Sequence, residues 1–220
     1  MGASRTDSGV HAFDQIVRIT SEHPLDCVSF LVKLNDNLPP QIRSTELFPC
    51  QGTFNPIKSC ISKEYRYFFT NTLKTQSLEQ KFIANNPFEL DIKKMRECAE
   101  KIVGRHDFHN FCSAGSNVKT TVREVLVCEL TEINPHEIFP TSDLFHIPVD
   151  FKSCYQLRIV GTGFLKQMVR HLMSALWHVG QGRMSPDEFM LLLDGPPKTR
   201  RLWKVASPRG LFLYKITYEL

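Results

Sequence analysis

Arg5-Thr6-Asp7-Ser8-Gly9-Val10-His11-Ala12 gathers an arginine, a carboxylate, a glycine and a histidine into one short stretch with the composition of a loop. A carboxylate beside a cation is held ionised, because an opposite charge within a few ångströms lowers its pKa by roughly one to three units. Gly9 admits a tight turn that can push Asp7 into a cleft, and the forked guanidinium of Arg5 suits a phosphate. This combination predicts carboxylate chemistry on a phosphate-bearing substrate. The plainer alternative is a surface turn in which Asp7 caps the following element and Arg5 is solvated.

Asp7-Ser8-Gly9 is also the Asp-Ser/Thr-Gly triplet of aspartic proteases, which share one proton between two facing carboxylates. An adjacent arginine opposes that shared proton. No second Asp-Ser-Gly or Asp-Thr-Gly occurs, so only a homodimer could complete such a dyad.

Two later stretches add candidates. Lys63-Glu64-Tyr65-Arg66-Tyr67-Phe68-Phe69 alternates as a strand, with Tyr65 and Tyr67 on one side and Arg66 and Phe68 on the other. From Phe164 to Val179, the residues Leu165, Met168, Val169, Leu172, Leu176 and Val179 recur as one helical apolar stripe, with Lys166, Arg170 and Trp177 together on its flank. A charge so close to a buried face needs a partner, or else it snorkels to water. His106, Asp107 and His109 lie close together, but no Cys or His cluster completes a metal site, so no metal is expected.

The elements that must position these residues follow from periodicity and punctuation. Phe13 to Ile19 and Ile42 to Phe48 read as strands, as do Val122 to Leu130 and its antiparallel partner Ser153 to Val160. Asp26 caps a helix that Asn37-Leu38-Pro39-Pro40 ends, and a second helix runs from Asp91 to Val103 with Gly104 as its C-cap. Phe108 and Phe111 read as core. Ser185-Pro186 opens another helix, and a last strand runs through Tyr218. Pro196 to Arg201 is a basic linker, and Pro135 to Lys152 is a long connection of no legible role. The order of elements is that of an α+β protein.

Composition sets the outer limits. With 220 residues, 42% of them hydrophobic, the chain can bury a substantial core. The balance of 27 Lys+Arg against 23 Asp+Glu permits nucleic-acid binding without demanding it. Seven scattered cysteines without a Cys-x-x-Cys spacing suit reduced, buried thiols. No apolar run is long enough to span a bilayer and no signal peptide opens the sequence, so a soluble cytoplasmic protein is expected.

Gly2 to Ala12 resembles the catalytic loop of the tRNA pseudouridine synthase A family, whose Asp is the essential residue. The resemblance continues through Asn-x-x-Leu-Pro after the first helix, the Arg/Lys-x-Tyr-x-Tyr strand, Asp107-Phe108-x-x-Phe111, the Phe-x-x-x-Met-Val-Arg segment ending at Arg170, and Ala206 to Leu213. It implies that Asp7, Tyr65 and Arg170 are catalytic, with Tyr65 packing under the target base and Arg170 pairing with Asp7. Arg5, His11, Arg66 and Lys166 are the further residues expected to contact substrate. Ile57 stands where the family often has an arginine, so that RNA contact is not expected here. The fold implied is two RRM-like halves sharing one mostly antiparallel sheet, residues 1–62 and 63–220, with helices on the back and a basic RNA cleft on the front.

The activity implied is isomerisation of uridine to pseudouridine in the anticodon arm of tRNA by a homodimer, with no cofactor. Family members carry a strand and a helix before the Arg-Thr-Asp loop, so an open sheet edge is expected at that place. The rival expectation is a non-catalytic RNA-binding remnant of the same family.

Overall fold

The structure, a computed structural model, describes residues 1–72, 81–113, 115, 118–134, 154–196 and 203–219. Both the Pro135–Lys152 connection and most of the basic linker lie outside these residues. Among those described, the alternating aromatic run forms the central strand of a mostly antiparallel sheet. Counted in chain order, the strands are β1 (His11–Ala12), β2 (Cys60–Thr70), β3 (Ala84–Asn85), β4 (Gly104–Asp107), β5 (Val122–Ile133), β6 (Cys154–Gly161) and β7 (Leu211–Tyr218). The sheet runs β1-β7-β2-β6-β5-β4, with β3 parallel to the end of β2. Tyr65 of β2 stands opposite Ile159 of β6 and Leu213 of β7.

Among the described residues four helices complete the fold. Helix α1 (Cys27–Asn37) starts where the Asp26 carboxylate accepts the backbone N–H groups of Val28 and Ser29, and α2 (Ile92–Glu100) is capped in the same way by Asp91. Helix α3 spans Met168–Gly180. Helix α4 (Pro186–Asp194) opens on a capping box between Ser185 and Glu188, with proline in its first turn.

Strand alternation decides which side of the sheet is covered. Tyr65, Tyr67 and Phe69 point toward α2, α3 and α4 and merge with Met95, Leu172, Leu176 and Phe189 into the main core. Phe68, Cys154 and Phe212 point the other way and join Ile83 in a smaller cluster. Phe108 and Phe111 are fully buried, as their types predict. Gly210 is needed for packing: a Cβ there would stand 2.4 Å from Phe68 O, so the 3-10 turn Pro208–Gly210 lies directly on β2.

Four sequence expectations are corrected. Phe13 to Ile19 is not a strand; only an isolated bridge joins Gly2 to Val17, and the paired residues are His11 and Ala12, parallel to β7. Ile42 to Phe48 is not a strand either. The side-chain amide of Asn35 takes both backbone groups of Ser44, at 2.9 and 2.8 Å, and so replaces a neighbouring strand. Gly104, at φ 123, begins β4 rather than capping α2. Helix α3 begins at Met168, not at Phe164, because Gln167 adopts the left-handed conformation just before it. Lys166 is thereby off the helix, and the flank expected for it with Arg170 and Trp177 does not form.

Candidate active site

The loop bearing Asp7 is built by a turn and fixed by side chains. Val10 N–H donates to Asp7 O at 3.0 Å, and Gly9 takes φ 80, which favours glycine. Pro208 approaches so closely that a Cβ on Gly9 would stand 3.0 Å from its Cγ. On the upstream side, Gln15 clamps Ser4 through both backbone groups, at 2.8 and 3.2 Å. Downstream, Phe13 N–H donates to Leu213 O at 2.9 Å, and the Asp14 carboxylate accepts the N–H of Ile216 at 2.7 Å. Both ends of the loop are thus tied down, the downstream one onto β7.

Arg170 meets this loop from the first turn of α3. Its Nη1 donates to Asp7 Oδ2 at 2.9 Å, across 163 residues of sequence. Nε donates to Ala206 O at 2.8 Å, which fixes the plane of the guanidinium. The Arg170 side chain is 10% exposed and that of Asp7 33%, so the guanidinium is the more buried partner. Burying either charge alone costs several kcal/mol, and together each supplies the counter-ion that the other needs.

Tyr65 lies beside them. Its hydroxyl and Ser4 Oγ share a hydrogen bond at 3.1 Å, and its ring meets Phe164 edge-on at 5.0 Å. Burial pushes the Tyr65 phenol pKa up and the nearby Asp7 charge adds to the rise, so the ring is a neutral phenol at physiological pH. Tyr67, two residues on, donates to Ser207 O at 2.8 Å and supports the segment that carries Ala206 and Pro208.

Among the remaining expected residues, the placement is uneven. Arg5 is exposed, and the cation on Asp7 is Arg170 instead of Arg5. His11 is packed between Phe212 and Phe82, with centroids at 4.7 and 4.9 Å, and its Nε2 is 2.9 Å from Lys81 O; it anchors the loop to the sheet. Arg66 lies on the sheet face opposite Tyr65. There it pairs with Glu64 at 2.7 Å and covers the Tyr214 ring at 3.5 Å, while Arg158 takes the same carboxylate. Burial opposes the charge of Glu64, and the two guanidiniums more than offset it, leaving its pKa lowered. Lys166 is exposed in the turn before α3, with its carbonyl bonded to Ser113 N–H at 3.1 Å.

Several partners were not foreseen from sequence. Lys63 Nζ donates to Ala3 O at 2.8 Å and holds the strand-like entry to the loop. Burial pulls its pKa down. Its position two residues before Tyr65 was the available signal, since alternation puts both on one face. Nothing in the sequence marks Gln15 as the clamp on Ser4. His106 bonds Asp194 at 2.6 Å and Asp107 caps a 3-10 turn, so the histidine-rich segment ties β4 to the end of α4. Among the described residues no group of three or more His, Cys, Asp or Glu could hold a metal ion, and no helix is long and apolar enough to cross a membrane.

The arrangement is a carboxylate with one oxygen bonded to a largely buried guanidinium, next to an aromatic ring. Residues 98–219 match the family model for tRNA pseudouridine synthase. The chain is 31% identical over 217 residues to tRNA pseudouridine synthase A of Listeria innocua, covering 99% of this chain and 81% of the relative. Identity is 33% over 219 residues to tRNA pseudouridine synthase A 2 of Desulfotalea psychrophila, covering 98% and 78%. For tRNA pseudouridine synthase A of Bacillus subtilis it is 29% over 219 residues, covering 100% and 81%. With a buried guanidinium on the loop acid and relatives matched along nearly its whole length, this chain belongs to the tRNA pseudouridine synthase A family.

Proposed function

We propose that the chain isomerises uridine to pseudouridine in the anticodon stem-loop of tRNA, with Asp7 as the catalytic carboxylate. The observation that carries this reading is the Asp7–Arg170 pair at 2.9 Å beside Tyr65. Breaking the C1′–N1 bond builds positive charge on the sugar, and an ionised carboxylate stabilises such a centre, as in glycosidases. The freed uracil turns, C5 bonds to C1′, and the proton lost from C5 is balanced by one gained at N1. The reaction is redox-neutral and needs no cofactor.

Each residue has a task in this scheme. Oδ2 of Asp7 is engaged by Arg170, and among the described residues no donor takes Oδ1, which faces the sugar. Flipping the uridine out of its loop costs a few kcal/mol, and contact with the Tyr65 ring offsets about 1–3 kcal/mol of that. Arg5 and Lys166, exposed on the Asp7 loop and on the approach to α3, supply charge for the phosphate backbone. The same reading places the enzyme in the cytoplasm as a homodimer. It makes residues 1–62 and 63–220 two RRM-like halves about a basic cleft.

Asp7→Asn tests the assignment. It should retain tRNA binding in a filter assay and lower tritium release from 5-tritiated uridine in tRNA by about 10³-fold. Wild-type release from that variant would remove Asp7 from the mechanism. Binding by the wild-type chain with no product would instead identify a non-catalytic RNA-binding protein.

A further inference from the structure

Gln167, immediately before α3, has φ 61 and is the one non-glycine residue of positive φ among those described. A side chain is tolerated in that region only where its surroundings over-determine the backbone. Ser113, which follows the 3-10 turn Phe108–Phe111, supplies the constraint. Its N–H donates to Lys166 O at 3.1 Å, and its hydroxyl donates to Gln167 Oε1 at 2.5 Å. The same hydroxyl oxygen lies 2.9 Å from Nε2 of His171, a fully buried residue of the first turn of α3. Because a hydroxyl has one hydrogen, already given to Gln167, the hydrogen between Ser113 and His171 comes from the imidazole. His171 N–H in turn donates to Gln167 O at 3.0 Å.

Ser113 therefore grips the left-handed residue, the residue before it and the helix turn after it. Arg170 lies within that turn, three positions beyond Gln167, and successive helix positions rotate by about 100°. A small change in the backbone at Gln167 turns the guanidinium away from Asp7 Oδ2 and Ala206 O, to which it is bonded at 2.9 and 2.8 Å. We infer that Ser113, acting through Gln167 and His171, is a positioning residue that sets the orientation of Arg170 toward the catalytic carboxylate. The inference rests on the pseudouridine synthase reading for its kinetic consequence and on geometry alone for its structural one.

The test uses Ser113→Ala, Ser113→Thr and Gln167→Gly in the full chain, with kinetics and side-chain hydrogen exchange measured together. Ser113→Ala should lower kcat for pseudouridine formation about tenfold, with KM for tRNA within about twofold, and Ser113→Thr should recover most of the rate. In an Arg170→Lys background the Ser113→Ala step should cost less than about twofold, because the group it positions is already gone. The Arg170 Nε–H, protected in the wild type by Ala206 O, should exchange about ten times faster in Ser113→Ala. Gln167→Gly accepts φ 61 but removes the acceptor, so it should show the same rate loss and faster exchange even if the serine variant does not fold.

Wild-type kcat in both Ser113→Ala and Gln167→Gly, or a full tenfold loss persisting in the Arg170→Lys background, would overturn the inference. Unchanged exchange at Arg170 would do the same. Exchange that responds in a chain forming no pseudouridine would leave the positioning role standing and end the proposed activity.

Discussion

The stretch before residue 63 and the rest of the chain contribute differently to one site. Ahead of residue 63 only Ala3 and Pro56 are buried, α1 buries no residue, and Val28, Ile42 and Phe48 are 74%, 58% and 65% exposed. Beyond it, Tyr67, Phe68, Phe69, Phe108, Phe111 and Phe189 are completely buried. The acid of the Asp7–Arg170 pair thus comes from a segment with almost no core, while its guanidinium and aromatic neighbours come from the well-packed body. Polar contacts join the two: Lys63 to Ala3 O, Asp14 to the N–H of Ile216, and Tyr218 to Pro56 O. Stability and the geometry of the Asp7–Arg170 site can therefore be disturbed separately.

The sharpest way to break that contrast is to truncate one large side chain in each region. Phe69→Ala should cost about 3–5 kcal/mol in urea unfolding, because a filled core position is emptied. Phe48→Ala, at an exposed position, should stay within about 0.5 kcal/mol. Similar losses in both would mean that the first region carries a core of its own.

A smaller effect is expected at the clamp on the loop. Gln15→Ala removes both bonds to Ser4 and with them the support of the Ser4–Tyr65 contact. We expect kcat to drop about tenfold while stability changes by about 1 kcal/mol or less. A stability loss without a rate loss would contradict the separation.

The smallest effect is a pH dependence. Burial holds His11 below its ordinary pKa, so the unfolded chain binds a proton that the folded imidazole refuses. This contribution to stability is complete above about pH 6.5, the unfolded value, and is lost as pH falls toward the folded value. Between pH 7.5 and 5.5 the Tm of wild type should therefore fall more than that of His11→Gln. His178, also lowered by burial, contributes with the same sign to both proteins and cancels in the difference. Equal slopes would show that His11 does not couple the loop to the sheet.

Legibility in the sequence followed the same division. Alternation in β2, β5 and β6, the caps at Asp26, Asp91 and Ser185, and the core roles of Phe108 and Phe111 could be read because local pattern and burial agree there. The grouping of Asp7, Tyr65 and Arg170 came from resemblance, since no periodicity relates residues so far apart. In the first region the signals misled. Phe13 to Ile19 and Ile42 to Phe48 have strand composition, but β propensity expresses packing against neighbours, and side chains such as Asn35 take the backbone groups that a neighbour would have taken. The start of α3 was misplaced because the apolar stripe continues through Leu165, while the backbone breaks at Gln167 under contacts from Ser113. Arg66 carried the right residue type on a strand of the site, but alternation sends it to the other face.

The short parallel pairing of His11 with Phe212 and Ala12 with Leu213 has a consequence for synthesis. A ribosome releases Asp7 long before it releases Arg170, Ala206 or β7, so the Asp7 loop waits, unplaced, for residues made later. Most of the sheet can close in the meantime; the Asp7–Arg170 pair cannot. Activity should therefore be the last property a nascent chain acquires, and loss of the β7 segment should abolish it even where the helices and inner strands have already formed.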